Sequence, residues 1–344
     1  MRKVIFILAL ALTGSMTFAQ DTPLEISGSA DLYYKYDFAK GENIGTSFAT
    51  DQNSVSLGMI AIALKKTMGK TSFVGEVSFG PRGQYQSILN GDGTANNEAN
   101  SFHIQNLYAT YAATDKLSFT AGFMGTFIGY EVISPLANFH YSTSYLFSNG
   151  PFQNAGVKAN YAISDKVGIM VGAFNDTWNV YKADPIKGLN AVGAQLSFAP
   201  TESISAYLNF MDGSVSGTIV DLTASFQLTD KFKLGLNAAD WSGVAKDEGY
   251  TGFALYPSVA VTDNFGLGLR AEYFKAKENA TALYGVGADN SITAFTLSAN
   301  LKAGGLTVIP EFRLDSAKDD NFMKSDLAPT KSASQASIAL VYGF

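Results

Sequence analysis

The sequence contains no cysteine, which excludes disulfide frameworks, zinc ribbons, thiol catalysis, iron–sulfur ligation and a thioether lipid anchor together. Charge is also scarce: 16% of the 344 residues, against roughly 25% in ordinary globular chains. With 13% aromatics the chain is not disordered, since disorder goes with high charge and few aromatics. Its 24 basic residues fall short of its 30 acids, so the basic patch that a nucleic-acid partner requires is missing. Beyond residue 20 no apolar run approaches the ~18 residues of a membrane-crossing helix.

What is present begins with a leader. Arg2-Lys3 form a basic start, Val4 to Leu12 an apolar stretch, and Thr17-Phe18-Ala19 the small residues read by a signal peptidase. The expectation is cleavage after Ala19, export, and a single mature domain over residues 20–344.

The mature chain alternates. In 220–228, Val220, Leu222, Ala224, Phe226 and Leu228 take one parity and Asp221, Thr223, Ser225 and Gln227 the other. Successive strand side chains point to opposite faces, so such a segment has one greasy and one wet face. Around residues 155–161, 192–198, 204–210 and 265–272 the pattern repeats. The punctuation is asymmetric. Seven short turns, several of the form Thr/Ser-Asp-Lys, separate pairs of strands, as at Thr114-Asp115-Lys116 and Ser164-Asp165-Lys166. Eight longer polar connections fall near 39–53, 80–101, 125–153, 175–188, 212–217, 239–249, 275–290 and 316–333. Fifteen connections imply sixteen strands, within a range of 14–18, because Pro257 and Pro310 interrupt strands and 102–112 and 291–301 mix parities. Each proline predicts a bulge.

A soluble β-sandwich also alternates, but three features favour an all-β, antiparallel transmembrane barrel with short periplasmic turns and long extracellular loops. The greasy parity persists for about ten residues per strand, the length that crosses a bilayer. Outward aromatics (Phe119, Tyr161, Phe198, Phe226, Phe232 and Phe265) gather beside the short turns as an interfacial girdle. Five acids (Asp31, Glu76, Asp221, Glu272, Glu311) and five bases (Lys35, Lys158, Lys233, Arg270, Arg313) share the opposite parity, which makes them pore-lining candidates and predicts weak ion selectivity. Ala336, Ile338, Leu340, Tyr342 and Phe344 alternate to a terminal aromatic, a pattern resembling the signal read by the outer-membrane barrel assembly machinery.

Phe127-Ile128-Gly129-Tyr130-Glu131-Val132-Ile133, then Asn138 and Tyr141-Ser142-Thr143-Ser144-Tyr145-Leu146-Phe147, resemble the β-barrel porin-2 (OmpL-like) family of bacterial outer-membrane proteins. Ala155-Gly156-Val157-Lys158 and Pro310-Glu311-Phe312-Arg313-Leu314-Asp315 extend the resemblance. It implies an outer-membrane, porin-like barrel with no established catalytic residues. Members often carry Arg where Thr143 stands.

Catalytic and metal readings are weak. The histidines are His103 and His140, and a His140–Ser142 pair lacks a third residue to orient it. Gly91-Asp92-Gly93 lacks the alternating oxygen ligands of a calcium loop. Gly266 and Gly268 have no phosphate-loop spacing. No cofactor is expected. The expected function is a channel for small hydrophilic solutes in outer-membrane lipid; a plugged or adhesive barrel binding through its loops is the alternative, and an outer-membrane hydrolase a more distant one. The third loop, 125–153, carries many aromatics and one charge, so it is expected to fold into the lumen and narrow it. Tyr130, Glu131, Asn138, His140 and Tyr141 are its constriction candidates, with Glu131 expected across from Arg270 or Arg313.

A barrel of this kind resists detergent until heated. The mature chain should fractionate with outer membranes and migrate faster on a gel unheated than boiled; a carbonate-soluble protein with no such shift would contradict the barrel.

Overall fold

The computed structural model describes residues 21–82, 88–89, 102–175, 188–280 and 283–344. The expected leader, Gly91-Asp92-Gly93 and Trp178 lie outside the described residues, and of His103 only the backbone is described. Sixteen strands close into one antiparallel barrel. They are β1 (Glu25–Asp37), β2 (Val55–Met68), β3 (Thr71–Phe79), β4 (Phe102–Ala112), β5 (Leu117–Gly125), β6 (Gln153–Ser164), β7 (Val167–Asn175) and β8 (Leu189–Thr201). The second half comprises β9 (Ile204–Gly213), β10 (Gly217–Gln227), β11 (Phe232–Ser242), β12 (Gly249–Thr262), β13 (Phe265–Ala276), β14 (Ser291–Ala303), β15 (Leu306–Ala317) and β16 (Ser332–Gly343). Each strand pairs with its sequence neighbours, and β1 closes the ring on β16 with Leu32 opposite Leu340. Phe344 extends that seam by exchanging two backbone hydrogen bonds with Gly28, while its exposed ring lies against Gly28 on the lipid side.

Short turns occupy one end and long loops the other. In the Thr/Ser-Asp-Lys turns the hydroxyl does the work: Thr114 Oγ1 accepts from the amides of Lys116 and Leu117, Ser164 Oγ from Lys166 and Val167, and Thr229 Oγ1 from Lys231 and Phe232. A two-residue turn thus satisfies amides that the ladder leaves open. The expected parity holds along the strands. In β10, Val220 and Leu222 are exposed on the outside while Asp221 and Thr223 are buried inside. The girdle residues Phe119, Tyr161 and Phe198 stand exposed beside the turns.

The prolines do not behave as expected. Register runs unshifted through Pro257, which faces Leu234, and through Pro310, which faces Ile338. Neither marks a bulge; instead the ladder skips pairs on one side, between β12 and β13 at 256–257 and between β14 and β15 at 309–310. A missing N–H costs one ladder bond without requiring an extra residue. The bulges lie elsewhere. Glu76 faces Asn106 but Val77 faces Ile104, so Gln105 is inserted and the parity of β4 changes there. The mixed parity of β14 has another cause: Ile292 and Ala294 face inward onto an apolar core inside the barrel.

That outer surface sets a measurable cost. Leu222→Arg, on the lipid face, should destabilise the folded barrel by about 2–4 kcal/mol if it sits near the midplane, measured as urea unfolding in vesicles. Thr223→Arg, one residue on and facing inward, should cost less than Leu222→Arg; equal losses would reverse the assigned faces.

Candidate functional site

The lumen is occupied on its loop side by the third loop, residues 126–152, which carries the helix α1 (Tyr145–Asn149). Ser144 caps α1, its hydroxyl accepting from the amide of Phe147 at 3.0 Å. The loop's apolar residues do what its composition predicted. Phe127, Ile128, Tyr145 and Leu146 pack with Phe174, Tyr250, Tyr256 and Phe274 in the interior core. Glycines on the inner wall provide the room. A Cβ at Gly193 would lie 2.7 Å from the Phe127 ring, at Gly235 2.1 Å from the Tyr130 hydroxyl, and at Gly268 2.4 Å from the Phe139 ring. Gly252 seats Leu146 and Gly343 seats Leu136 in the same way.

A loop inside a barrel also brings its backbone, and the wall satisfies it. Asp221 accepts from Gly129 N at 3.0 Å and from the amides of Asn209 and Asn237. Glu311 accepts from Tyr141 N and Ser142 N, and Glu272 from Tyr145 N and Leu146 N at 3.0 and 2.8 Å. Arg270 donates to Ser142 O and Thr143 O, and Arg313 donates to Thr143 O at 2.8 Å. Thr143 itself is buried, its hydroxyl donating to Ser47 O in the first loop. Tyr141 and Tyr145 donate their phenols to Asp31 and Asp315 at 2.6 and 2.7 Å. Burial raises both phenols above their ordinary pKa, so both remain donors.

The ten candidate wall charges therefore divide. Asp31, Lys35, Asp221, Arg270, Glu272, Glu311 and Arg313 are buried. Lys35 donates to Thr50 O in the first loop. Asp31, besides Tyr141, accepts from Met59 N where β1 and β2 shift register, and its carboxylate lies against Gly58. Only Glu76, Lys158 and Lys233 face open lumen. Glu131 meets Arg270 as expected, but by direct contact at 2.7 Å with both side chains buried, so no field spans an opening between them. Its other oxygen accepts from Ser144 N and Oγ. Tyr130 stacks on Tyr256 with centroids 4.5 Å apart. Asn138 clamps both backbone groups of Val132 and so closes a turn within the loop.

Parity would have marked Asp37 and Asp315 as inward charges as well. Asp315 forms an ion pair with Arg313 at 2.8 Å. Arg82, which no periodicity marks, lies 3.4 Å from Asp31, packed between the rings of Phe48 and Tyr141. His140 and Ser142 do not pair. His140 Nδ1 lies 2.7 Å from Ser298 Oγ, whose single proton goes to Glu311 at 2.8 Å. Ser298 thus turns its proton towards Glu311 and not towards the imidazole. Among the described residues no cluster of three metal-ligating side chains exists.

The turn-side half of the lumen is open. Two adjoining cavities of about 1540 and 930 Å³ share Tyr207, Ser225 and Lys233 and reach from beneath the third loop to the turns. The larger follows the wall from β1 and β2 round to β11, past Asn106, Thr120, Lys158, Gln195 and Ser205.

Comparison with known proteins places this arrangement. The family model described as "Putative beta-barrel porin-2, OmpL-like" matches residues 23–344. No protein with a curated description matches the sequence. Among solved structures, the chain is similar to in-vitro folded OmpT of Vibrio cholerae in its trimer form, at 12% identity and a TM-score of 0.61 over 95% of this chain and 100% of that one. It is also similar to Pseudomonas putida OprB at high pH, at 11% identity and 0.63 over 93% and 94%. The anion-selective porin from Comamonas acidovorans shares 11% identity at 0.62 over 94% and 99%. At these identities the likeness is one of fold.

His140 gives the packed loop a pH signature. Burial first, and Arg270 beside it second, hold its pKa well below the ordinary value of 6.5. When the loop opens, the imidazole regains that ordinary value, so the open form binds more protons in the window below pH 6.5. The docked loop is fully favoured above that pH and loses stability as pH falls, by up to about tenfold in the opening equilibrium per pH unit. Protease cleavage within 126–152 should accelerate from pH 6.5 to pH 5.5 in the native chain and less in His140→Gln; equal acceleration in both would assign the effect to the carboxylates.

Proposed function

The chain belongs to the β-barrel porin-2, OmpL-like family, and from that premise we propose a narrow outer-membrane channel with an off-centre path. Small hydrophilic solutes diffuse passively along the wall from β3 to β11, and the third loop fills the rest of the lumen. The observation that carries this reading is the pair of cavities, with lysine, hydroxyl and amide side chains in their lining, running from the turns to the underside of that loop. A sixteen-stranded barrel encloses more space than its wall side chains can fill, and here one loop takes up the surplus on one side only. The residues lining the path are Glu76, Lys158 and Lys233 among hydroxyl and amide side chains. The other charged candidates, with Tyr130, Glu131, Asn138, His140 and Tyr141, shape the constriction from behind.

We read the barrel as non-catalytic, in keeping with a Ser298 hydroxyl that donates to Glu311 and a Ser142 hydroxyl oxygen that accepts from Arg270. Export through the leader 1–19, cleavage after Ala19, and assembly through the terminal strand with Phe344 complete the reading. A plugged barrel that binds through its loops is a second reading, and a specific observation favours it. The first, third, seventh and eighth loops are joined across the mouth by Asn43 to Met323, Asn149 to Tyr284, and Asn321 to Gly285 and Gly287.

Single-channel recording separates the two. The native protein should conduct, and deletion of residues 130–147 in a barrel that retains heat-modifiable mobility should raise conductance clearly. A silent native protein that conducts only after the deletion supports the plug; unchanged conductance would place the loop outside the pore.

A further inference from the structure

Resting on the channel reading, we infer that the open path selects small hydrophilic anions, through the uncompensated ammonium groups of Lys158 and Lys233. Counting the ten candidate wall charges alike gives five acids and five bases and hence no preference. The structure shows that this count mixes two populations. Asp31, Asp221, Glu272 and Glu311 have their carboxylates turned onto loop or wall donors, and Arg270 and Arg313 are matched to Glu131 and Asp315. A charge that is ion-paired, or buried with fixed donor dipoles turned onto it, presents less field to a solute in the open half than an ammonium with no partner that lines the path itself.

What remains in the open lumen is Lys158 on β6, Lys233 on β11 and Glu76 on β3. Among the described residues neither lysine makes a hydrogen bond or an ion pair, whereas Glu76 accepts from Asn106 at 2.6 Å. Along β5 to β11 the only inward carboxylate is Asp221, which already accepts three hydrogen bonds and is 1% exposed. The arc joining the two lysines is lined by neutral hydrogen-bonding groups such as Ser197, Ser205, Tyr207 and Gln227. At the turn-side rim acids and bases mix, with Asp115 beside Lys116, Asp230 beside Lys231, Glu25 paired to Lys65, and Asp263, Lys302 and the exposed Glu202 also at the edge. A low-dielectric wall carrying one sign of charge concentrates the opposite ion, and hydroxyls and amides replace part of that ion's hydration.

The test is the reversal potential of the full-length native protein in a planar bilayer under a KCl gradient. Around 0.1 M salt, where the screening length is ~10 Å, chloride should permeate at least about twofold over potassium, and the preference should shrink towards unity near 1 M, where that length is ~3 Å. Lys158→Gln with Lys233→Gln should abolish the preference, provided that heat-modifiable mobility shows the variant folded. Cation preference in the native channel, or anion preference unchanged in the folded double variant, overturns the inference while the channel reading stands. Where the variant does not assemble, the native protein alone still decides, because an anion preference that fails to shrink with salt overturns the inference too. Absence of any conductance overturns the channel reading itself, and this inference with it.

Discussion

A chain that enters the lumen of a membrane barrel carries its amide and carbonyl groups away from bulk water, and something must bond to them. Here the barrel wall does so with full charges. Five amides of the third loop, at Gly129, Tyr141, Ser142, Tyr145 and Leu146, point at three wall carboxylates, and the carbonyls of Ser142 and Thr143 accept from two wall guanidiniums. Hydrogen bonds to charged groups contribute roughly 1.5–3 kcal/mol each, and removing one member of a buried pair strands the other at a cost of about 3–5 kcal/mol. The loop and the inner charges are therefore one structure. Neither is stable in its observed place without the other, and the interior aromatic core depends on both.

The wall is also cut to the loop's shape. Five inner glycines stand where any side chain would collide with Phe127, Tyr130, Leu136, Phe139 or Leu146. Glycine weakens a strand by roughly 0.5–1 kcal/mol relative to alanine, while burying a large apolar side chain contributes about 1.5–3 kcal/mol. The exchange favours seating the loop. Close packing of this kind has two discrete outcomes, docked or expelled, rather than a range of intermediate apertures. The third loop is thus a fixed partition of the lumen, held by shape as much as by charge.

The strands, turns and faces were legible in the sequence because alternation and the Thr/Ser-Asp-Lys turn are local patterns, and each strand pairs only with its neighbours. The inward fold of the third loop was legible too, from eleven large apolar residues between 127 and 147 around one glutamate. Parity reports the face of a residue and not what lies opposite it, so Glu272 and Lys158 looked equivalent although one is bonded to loop amides and the other faces water. Gly235 and Gly268 read as ordinary strand glycines for the same reason: the rings they accommodate come from more than a hundred residues away. Arg82 lies in a loop, where no period exists to mark it. Pro257 and Pro310 misled because a lost donor and an inserted residue look alike in one dimension.

The mouth shows a different chemistry from the interior. Where loops meet at the exposed end, asparagine side chains join them, beside one exposed ion pair between Lys318 and Asp289 at 3.6 Å. Asn43, Asn149 and Asn321 each present a carboxamide that donates to one backbone carbonyl and accepts from one backbone amide on another loop. An amide in this position imitates the edge of a neighbouring strand, and because it carries no charge its bonds are little affected by salt or by the potential across the membrane. The loops so joined are the first, third, seventh and eighth, which arise from the β12–β16 and β1–β2 side of the barrel except for the third. Of the charges that anchor the third loop, Asp31, Arg270, Glu272, Glu311 and Arg313 come from β1, β13 and β15 on that same side, and Asp221 reaches it from β10. Around the circumference most of the anchoring charges and joined loops thus fall on one arc, while the wall from β3 to β11 contributes Asp221, Gly193 and Gly235 to the docked loop and keeps its hydroxyls, amides and unpaired lysines for the open half of the lumen.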